Sequence, residues 1–143
     1  MDPGVTKAHH RGMNLAEILA AFNRGDLAAL RDRVTPDVSY VIPGRAAVSG
    51  EFHGLEAVVG AFERLRRLSG DTIVAEPELV LGDGADVLFT ARVTAHHEGR
   101  TLDVTNAYAF HFEAGRLASG RLFPGDLHAI EAFFPVGEPT TGA

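Results

Sequence analysis

Three polar residues near the end of the chain, Asn106, Tyr108 and Arg121, have types and spacings that would let them act on one ligand. Asn106 and Tyr108 are two residues apart and so share one face of a strand, and a two-residue turn at Ala114-Gly115 would pair Tyr108 with Arg121. A phenol and a guanidinium can both stabilise negative charge on a ligand oxygen. The alternatives are that Asn106 and Tyr108 are core residues with satisfied hydrogen bonds, and that Arg121 pairs with a carboxylate such as Asp126.

The strands around these residues are predicted from the alternation of apolar and polar side chains. This alternation predicts four strands in the main sheet, at roughly 72–81, 86–97, 101–113 and 116–123. A two-residue turn at Glu98-Gly99 would pair Ala91 with Asn106 and Phe89 with Tyr108, on a face that is otherwise apolar. Asn106 and Tyr108 are therefore expected to point toward the core.

Helical spacing of apolar residues predicts three helices ahead of this sheet. They are expected from Asn14 to Gly25, from Asp26 to Pro36 and from Leu55 to Gly70. Residues 38–42 form a further strand, and Asp126 can cap a short last helix. The sequence therefore predicts an α+β fold, with one domain over residues 13–135 and mobile tails at 1–12 and 136–143.

Composition excludes several classes of function. The chain has no cysteine, which removes thiol catalysis, disulfides and cysteine-ligated metals and favours a cytoplasmic location. Its net charge of −6 argues against nucleic acid as a partner. No apolar run approaches the ~20 residues that cross a bilayer, so no membrane association is expected.

The seven histidines suggest a metal site, because imidazole is a common metal ligand. However, His96 and His97 are adjacent on a strand and point to opposite faces, and the others are scattered, so neither a metal site nor a cofactor is predicted. His53 and His128 lie near the expected mouth of a pocket. Each is either a surface residue or an acid/base partner of Asp126.

Three segments resemble the SnoaL-like branch of the nuclear transport factor 2-like superfamily, which also includes the ketosteroid isomerases. The family's opening helix pair and first strand resemble ILAAFNRGDLAALRDRVTPDVSYVIPG, its second strand and third helix resemble SGEFHGLEAVVGAF, and its final hairpin resembles AYAFHFEAGRLASGRLFPGDLHAIEAFF. The resemblance implies a cone-shaped, curved, mixed or antiparallel sheet around three N-terminal helices, with a short C-terminal helix. It also implies an internal ligand pocket and a homodimer formed through the outer sheet face, where our register places Arg92 beside Asp103.

The resemblance carries roles to particular residues. SnoaL-type polyketide cyclases place an acid/base aspartate just after the last strand, and Asp126 matches it; its alternative role is to cap the last helix. Ketosteroid isomerases use a tyrosine and two aspartates at positions that match Ile18, Ile42 and Tyr108, so their dienolate mechanism is not expected here. Epoxide hydrolases of this fold use an Asp–Arg–Asp set, to which Arg121 and Asp126 could contribute.

We therefore expect a catalytic group of Asp126, Arg121 and Tyr108, in which Asp126 transfers a proton while Arg121 and Tyr108 stabilise enolate oxygen. The substrate-binding residues expected around this group are Tyr40, Asn106, Phe110, Phe89, Phe62, Phe22, Ile18 and Ile42, with His53 and His128 at the mouth.

The hypothesis that this group favours is a cofactor-free acid/base enzyme of cyclase, isomerase or dehydratase type. Its substrate would be a small hydrophobic, oxygenated molecule such as a polyketide or terpenoid. The alternatives are a non-catalytic ligand-binding or accessory domain, a dimeric protein–protein module whose cone is filled by side chains, and an epoxide hydrolase.

Overall fold

Alternating apolar residues along six segments form one mixed sheet in the computed structural model, which describes residues 14–82 and 84–136. The strands are β1 Val34–Ile42, β2 Gly50–His53, β3 Val74–Leu81, β4 Asp86–His97, β5 Arg100–Glu113 and β6 Arg116–Phe123. Their order across the sheet is β2-β1-β6-β5-β4-β3, and the β1–β6 pair is parallel. The predicted count of four strands is wrong because β1 joins the sheet through β6, and β2 then pairs with β1.

The helices lie before, between and after these strands. Residues 14–23 are helical and are called α1, followed by α2 Leu27–Asp32, α3 Leu55–Leu68 and α4 Leu127–Phe133. As predicted, the Asp26 carboxylate caps α2, accepting a hydrogen bond from the Ala29 N–H at 3.0 Å. The helix ends at Asp32 and does not reach Pro36, because the segment from Val34 onward belongs to β1.

The tails predicted at 1–12 and 136–143 fall outside the described residues, except for Val136. Within the described part of the chain, no helix is both long enough and apolar enough to cross a membrane.

The apolar face of the sheet packs against the helices and forms one core. α3 contributes Val58, Val59 and Phe62, which are buried on the side that faces β1 and β2. Inward residues of β1 alternate with more exposed ones, so that Val38, Tyr40 and Ile42 join the same cluster. The predicted α+β class with a curved mixed sheet is confirmed.

The β4–β5 hairpin has the predicted register. Phe89 pairs with Tyr108 and Ala91 with Asn106, and the pairing continues to the turn without a shift. Glu98 and Gly99 have φ values of +52° and +80°, the left-handed pair that a two-residue hairpin turn requires. The turn thus fixes which side chains of β5 point inward.

The β5–β6 hairpin departs from the predicted register by one residue. Phe112 pairs with Leu117 as expected, but His111 pairs with Ser119, which leaves Ala118 as an extra residue on β6. Because side chains alternate with a period of two, one extra residue reverses the facing of everything beyond it. This bulge places Leu122 opposite Tyr108 and turns Arg121 outward.

A buried arginine holds two walls of the core together. The Arg66 guanidinium donates hydrogen bonds to the carbonyl oxygens of Phe22 and Ile73 at 2.9 and 3.0 Å. It also contacts the Asp71 carboxylate at 2.7 Å and the Asp71 carbonyl at 2.9 Å. The Arg66 side chain is only 8% exposed, so its bond to the Ile73 carbonyl is shielded from water, whereas the Asp71 carboxylate is 76% exposed. Arg66 therefore fixes α1 and the approach to β3 relative to α3.

We expect Arg66→Met to lower the free energy of unfolding by about 3 kcal/mol, since it leaves the carbonyl oxygens of Phe22 and Ile73 without their hydrogen-bond donor. Arg67→Met is the matched control, because Arg67 is exposed and pairs only with Glu63 among the described residues, and it should cost less than about 0.5 kcal/mol. Urea denaturation followed by circular dichroism measures both. Equal losses in the two variants would contradict the role assigned to Arg66.

Candidate functional site

A cavity of about 90 Å³ lies between the helices and the inner face of the sheet. Its walls are almost entirely apolar. Of the residues that the sequence placed around a pocket, those that line this cavity are Ile18, Phe22, Tyr40, Ile42, Phe62, Phe89, Asn106, Tyr108 and Phe110. Their common placement follows from strand parity and helical spacing; their roles toward a ligand remain predictions.

Three polar side chains interrupt the apolar lining: Tyr40, Asn106 and Tyr108. Asn106 is 4% exposed and both ends of its amide are hydrogen bonded. Its Oδ1 accepts from the Gly125 N–H at 3.1 Å, and its Nδ2 donates to the Tyr108 hydroxyl oxygen at 3.3 Å. A short polar chain thus runs from the β6–α4 connection into the cavity.

Aromatic packing holds the two phenols in place. The Tyr108 ring stacks on Phe89 with centroids 4.8 Å apart. The Tyr40 ring meets Phe62 and Phe110 edge to face, at 5.1 and 5.9 Å. Gly120 makes room for Tyr40, since a Cβ there would lie 2.5 Å from a ring carbon. Such contacts restrict each ring to one orientation.

Burial favours the neutral form of both phenols. It raises the pKa of Tyr40 well above its usual value, and the nearby Tyr108 phenol adds to this effect. Burial also raises the pKa of Tyr108, partly offset by the hydrogen bond from Asn106. Both hydroxyls are therefore neutral near pH 7, and each can donate a proton to a hydrogen bond.

The structure does not place Arg121 in the cavity, so that part of the predicted site is wrong. The β6 bulge turns its side chain to the outer face, where it is exposed. Its guanidinium lies over the Phe123 ring, 5.8 Å from the centroid. Leu122 takes the inward position predicted for Arg121 and lines the cavity.

Asp126 follows Gly125 in the β6–α4 connection and is exposed, outside the cavity lining. Its Oδ1 accepts a hydrogen bond from the Ala129 N–H at 3.0 Å, which makes it the N-cap of α4. This is the alternative role that the sequence offered for Asp126. The expected inward-facing group of Asp126, Arg121 and Tyr108 is thus reduced to Tyr108 alone.

The other candidate residues also lie outside the cavity lining. His53 and His128 are exposed and do not line the cavity, which is the surface role that the sequence offered as the alternative to a place at the mouth. Arg121 and Asp126, the two residues expected to contribute to an epoxide hydrolase's Asp–Arg–Asp set, both lie outside the cavity lining, and Asp103 is on the outer face as expected, bonded to Arg92 at 2.9 and 2.7 Å. Across residues 14–82 and 84–136, no three His, Asp or Glu side chains are grouped as a metal site would need.

Sequence reasoning missed the contribution of the last helix to the cavity. Ile130 of α4 and Phe134 just after it are buried and line the cavity. Their burial could have been predicted, because two apolar residues four apart behind a capping aspartate indicate a helix with one buried face. Leu122, Leu65 and Val93 were also missed as lining residues.

Comparisons with known proteins identify the family and the fold of the chain. The profile of the SnoaL-like domain matches residues 15–120. The uncharacterized protein Rv0034 of Mycobacterium tuberculosis is 33% identical over 116 residues, which cover 80% of this chain and 88% of that protein. The solved structure of Bal32a, from a soil-derived mobile gene cassette, is 32% identical with a TM-score of 0.83 and covers 90% of this chain and 98% of that one.

A more distant structure shares the fold. IdmH of Streptomyces antibioticus, described as a candidate polyketide cyclase, is 20% identical with a TM-score of 0.70, and the match covers 88% of this chain and 99% of IdmH. The chain therefore belongs to the SnoaL-like family and has the cone fold of nuclear transport factor 2-like proteins.

Proposed function

We propose that the chain binds a small, mostly apolar, oxygenated molecule inside the cone. The observation that carries this proposal is a cavity with apolar walls on which three neutral polar groups converge, the usual composition of a small-molecule site. Burying apolar surface supplies the affinity, and Tyr40, Asn106 and Tyr108 orient the oxygen atoms.

The size of the cavity limits the part of the ligand that it encloses. An apolar cavity of about 150 Å³ is known to hold benzene, and this one measures about 90 Å³. Among its lining residues Leu19, Phe22, Leu65 and Tyr108 are only half-buried, which marks the more open part of the cavity. The cavity is therefore too small for a benzene-sized ring as it stands, and we propose that outward movement of these side chains admits one small ring, with a larger ligand extending through the mouth.

We expect Ala75→Leu to fill the cavity and weaken binding of cyclopentanone, a small ring with one oxygen, by about tenfold or more. Stability should change by less than about 1 kcal/mol, because the added methyl groups occupy existing space. Val74→Leu is the control, since Val74 neighbours Ala75 but lies outside the cavity lining. Calorimetry or NMR titration gives the affinities; unchanged binding in Ala75→Leu would refute the proposed site.

A second candidate function is acid/base catalysis of cyclase, isomerase or dehydratase type on a polyketide or terpenoid. The protonated Tyr108 phenol, held in an apolar wall, favours it, because such a phenol can act as an acid toward a ligand carbonyl. The relation of the fold to IdmH adds support. In this candidate Asp126 stays as the N-cap of α4, and any base comes from the ligand or from solvent at the mouth.

If the chain is an enzyme, Tyr108→Phe should lower turnover by ~10²-fold, whereas Asp126→Asn should leave it nearly unchanged and keep the helix cap. The measurement is a turnover assay with polyketide-type β-dicarbonyl compounds, alongside thermal unfolding of both variants. The opposite result, a loss in Asp126→Asn alone, would return the proton-transfer role to Asp126.

We also propose a homodimer through the outer face of the sheet. Four large apolar side chains are about half exposed at one end of this face: Leu79, Leu81, Leu88 and Phe123, which we call the outer apolar patch. They lie along neighbouring strands, with Ala107 and Ala109 of β5 between them. Thr90 and Arg121 lie on the same face beside these residues, and the Arg121 guanidinium covers the Phe123 ring. Exposed apolar side chains clustered in this way mark interfaces, and a second copy of the chain would cover them symmetrically.

Leu88→Glu should shift the protein from dimer to monomer, because each copy would bring one unpaired carboxylate into the interface between the two patches. Val136→Glu is the control, since Val136 is 65% exposed and lies outside the patch. Sedimentation equilibrium at micromolar concentration distinguishes the two states. A wild-type mass of one chain would rule out the homodimer.

A further inference from the structure

The hydrogen-bond chain at the polar end of the cavity has a fixed direction. The Gly125 backbone N–H can only donate, so the Asn106 atom that faces it must be the oxygen. The opposite orientation of the amide would set two donors against each other and leave both unpaired in a buried position. Asn106 must therefore present its Nδ2 group to Tyr108.

This orientation determines where the Tyr108 proton points. The hydroxyl oxygen accepts from Asn106 Nδ2, and the amide offers no lone pair to accept the hydroxyl proton in return. Among the described residues, this is the hydrogen bond that the Tyr108 hydroxyl makes. Its O–H is thus free to donate, and the ring borders the cavity.

The backbone path holds Gly125 where its N–H begins this chain of hydrogen bonds. A Cβ at Gly125 would collide with the carbonyl oxygen of Thr105, so the β6–α4 connection passes directly over β5 next to Asn106. Only glycine permits this approach. The direction of the amide is therefore a property of the backbone path.

We propose that the Gly125 N–H, acting through Asn106 as a positioning residue, directs the Tyr108 hydroxyl proton into the cavity and selects a ligand with an accepting oxygen, such as a ketone carbonyl, at that point. The inference rests on the proposed binding function and deepens it by naming the ligand chemistry. A ligand that presents an N–H or O–H donor there would face another donor and lose affinity.

Three probes of similar size separate acceptor, donor and purely apolar binding. Cyclopentanone carries an acceptor, methylenecyclopentane has the same shape without one, and pyrrole carries a donor. Dissociation constants are measured by NMR titration, and the ratio of two probes within one variant cancels general changes in the cavity. The ketone-to-alkene affinity ratio should fall about tenfold from wild type to Tyr108→Phe. Tyr40→Phe, which removes the other phenol hydroxyl two strands away on the same sheet, should change this ratio less.

Asn106→Asp tests the direction of the hydrogen-bond chain from Gly125 to Tyr108. At about pH 9 its carboxylate accepts from both Gly125 and Tyr108, so the hydroxyl proton turns away from the cavity and a lone pair faces the ligand. The ketone-to-alkene ratio should then fall about tenfold, and the pyrrole-to-alkene ratio should rise by a similar factor. A residue with only a structural role would not reverse this preference.

The outcomes separate this inference from the proposed function. If no probe binds the wild-type protein, the binding function fails and the inference fails with it. If all three bind but their ratios are the same in wild type and Tyr108→Phe, the cavity is a ligand site and the inference alone is wrong. Circular dichroism establishes that each variant is folded, and if Asn106→Asp does not fold, Tyr108→Phe decides the question.

Discussion

The single extra residue in β6 determines the character of the cavity. Without Ala118, Arg121 would face Tyr108 and a charged group would stand in the core. With it, Leu117 and Leu122 both point inward and are buried, and Gly120 faces the Tyr40 ring. A buried arginine without a partner is costly, whereas two buried leucines stabilise the fold. The bulge therefore exchanges a cationic site for a neutral one.

A neutral cavity has consequences for chemistry. In an apolar environment hydrogen bonds are stronger than in water, and a proton donor held there keeps its proton. The cavity wall offers phenols and an amide, which can polarise a carbonyl but cannot easily remove a proton from carbon. Any base must come from the ligand, from the solvent at the mouth or from a carboxylate that leaves its present position.

Much of this arrangement was predictable from the sequence. Alternation and the Glu98-Gly99 turn gave the β4–β5 register correctly, and with it the inward facing of Asn106 and Tyr108. The facing of Arg121 was wrong because a bulge changes parity without changing composition. The spacing of Leu117 and Leu122 indicates the bulge, because two core residues five apart cannot share one face of a regular strand. The α4 cap of Asp126 was predicted, but a cap and an inward carboxylate look alike in sequence.

Both tyrosines of the chain line the cavity, and the chain contains no tryptophan. Tyr40 and Tyr108 are therefore the source of the protein's tyrosine emission and of most of its near-ultraviolet absorption. A molecule that enters the cavity changes the surroundings of these chromophores directly. The protein carries an optical reporter of occupancy in its own sequence, without a label and with little background from the rest of the fold.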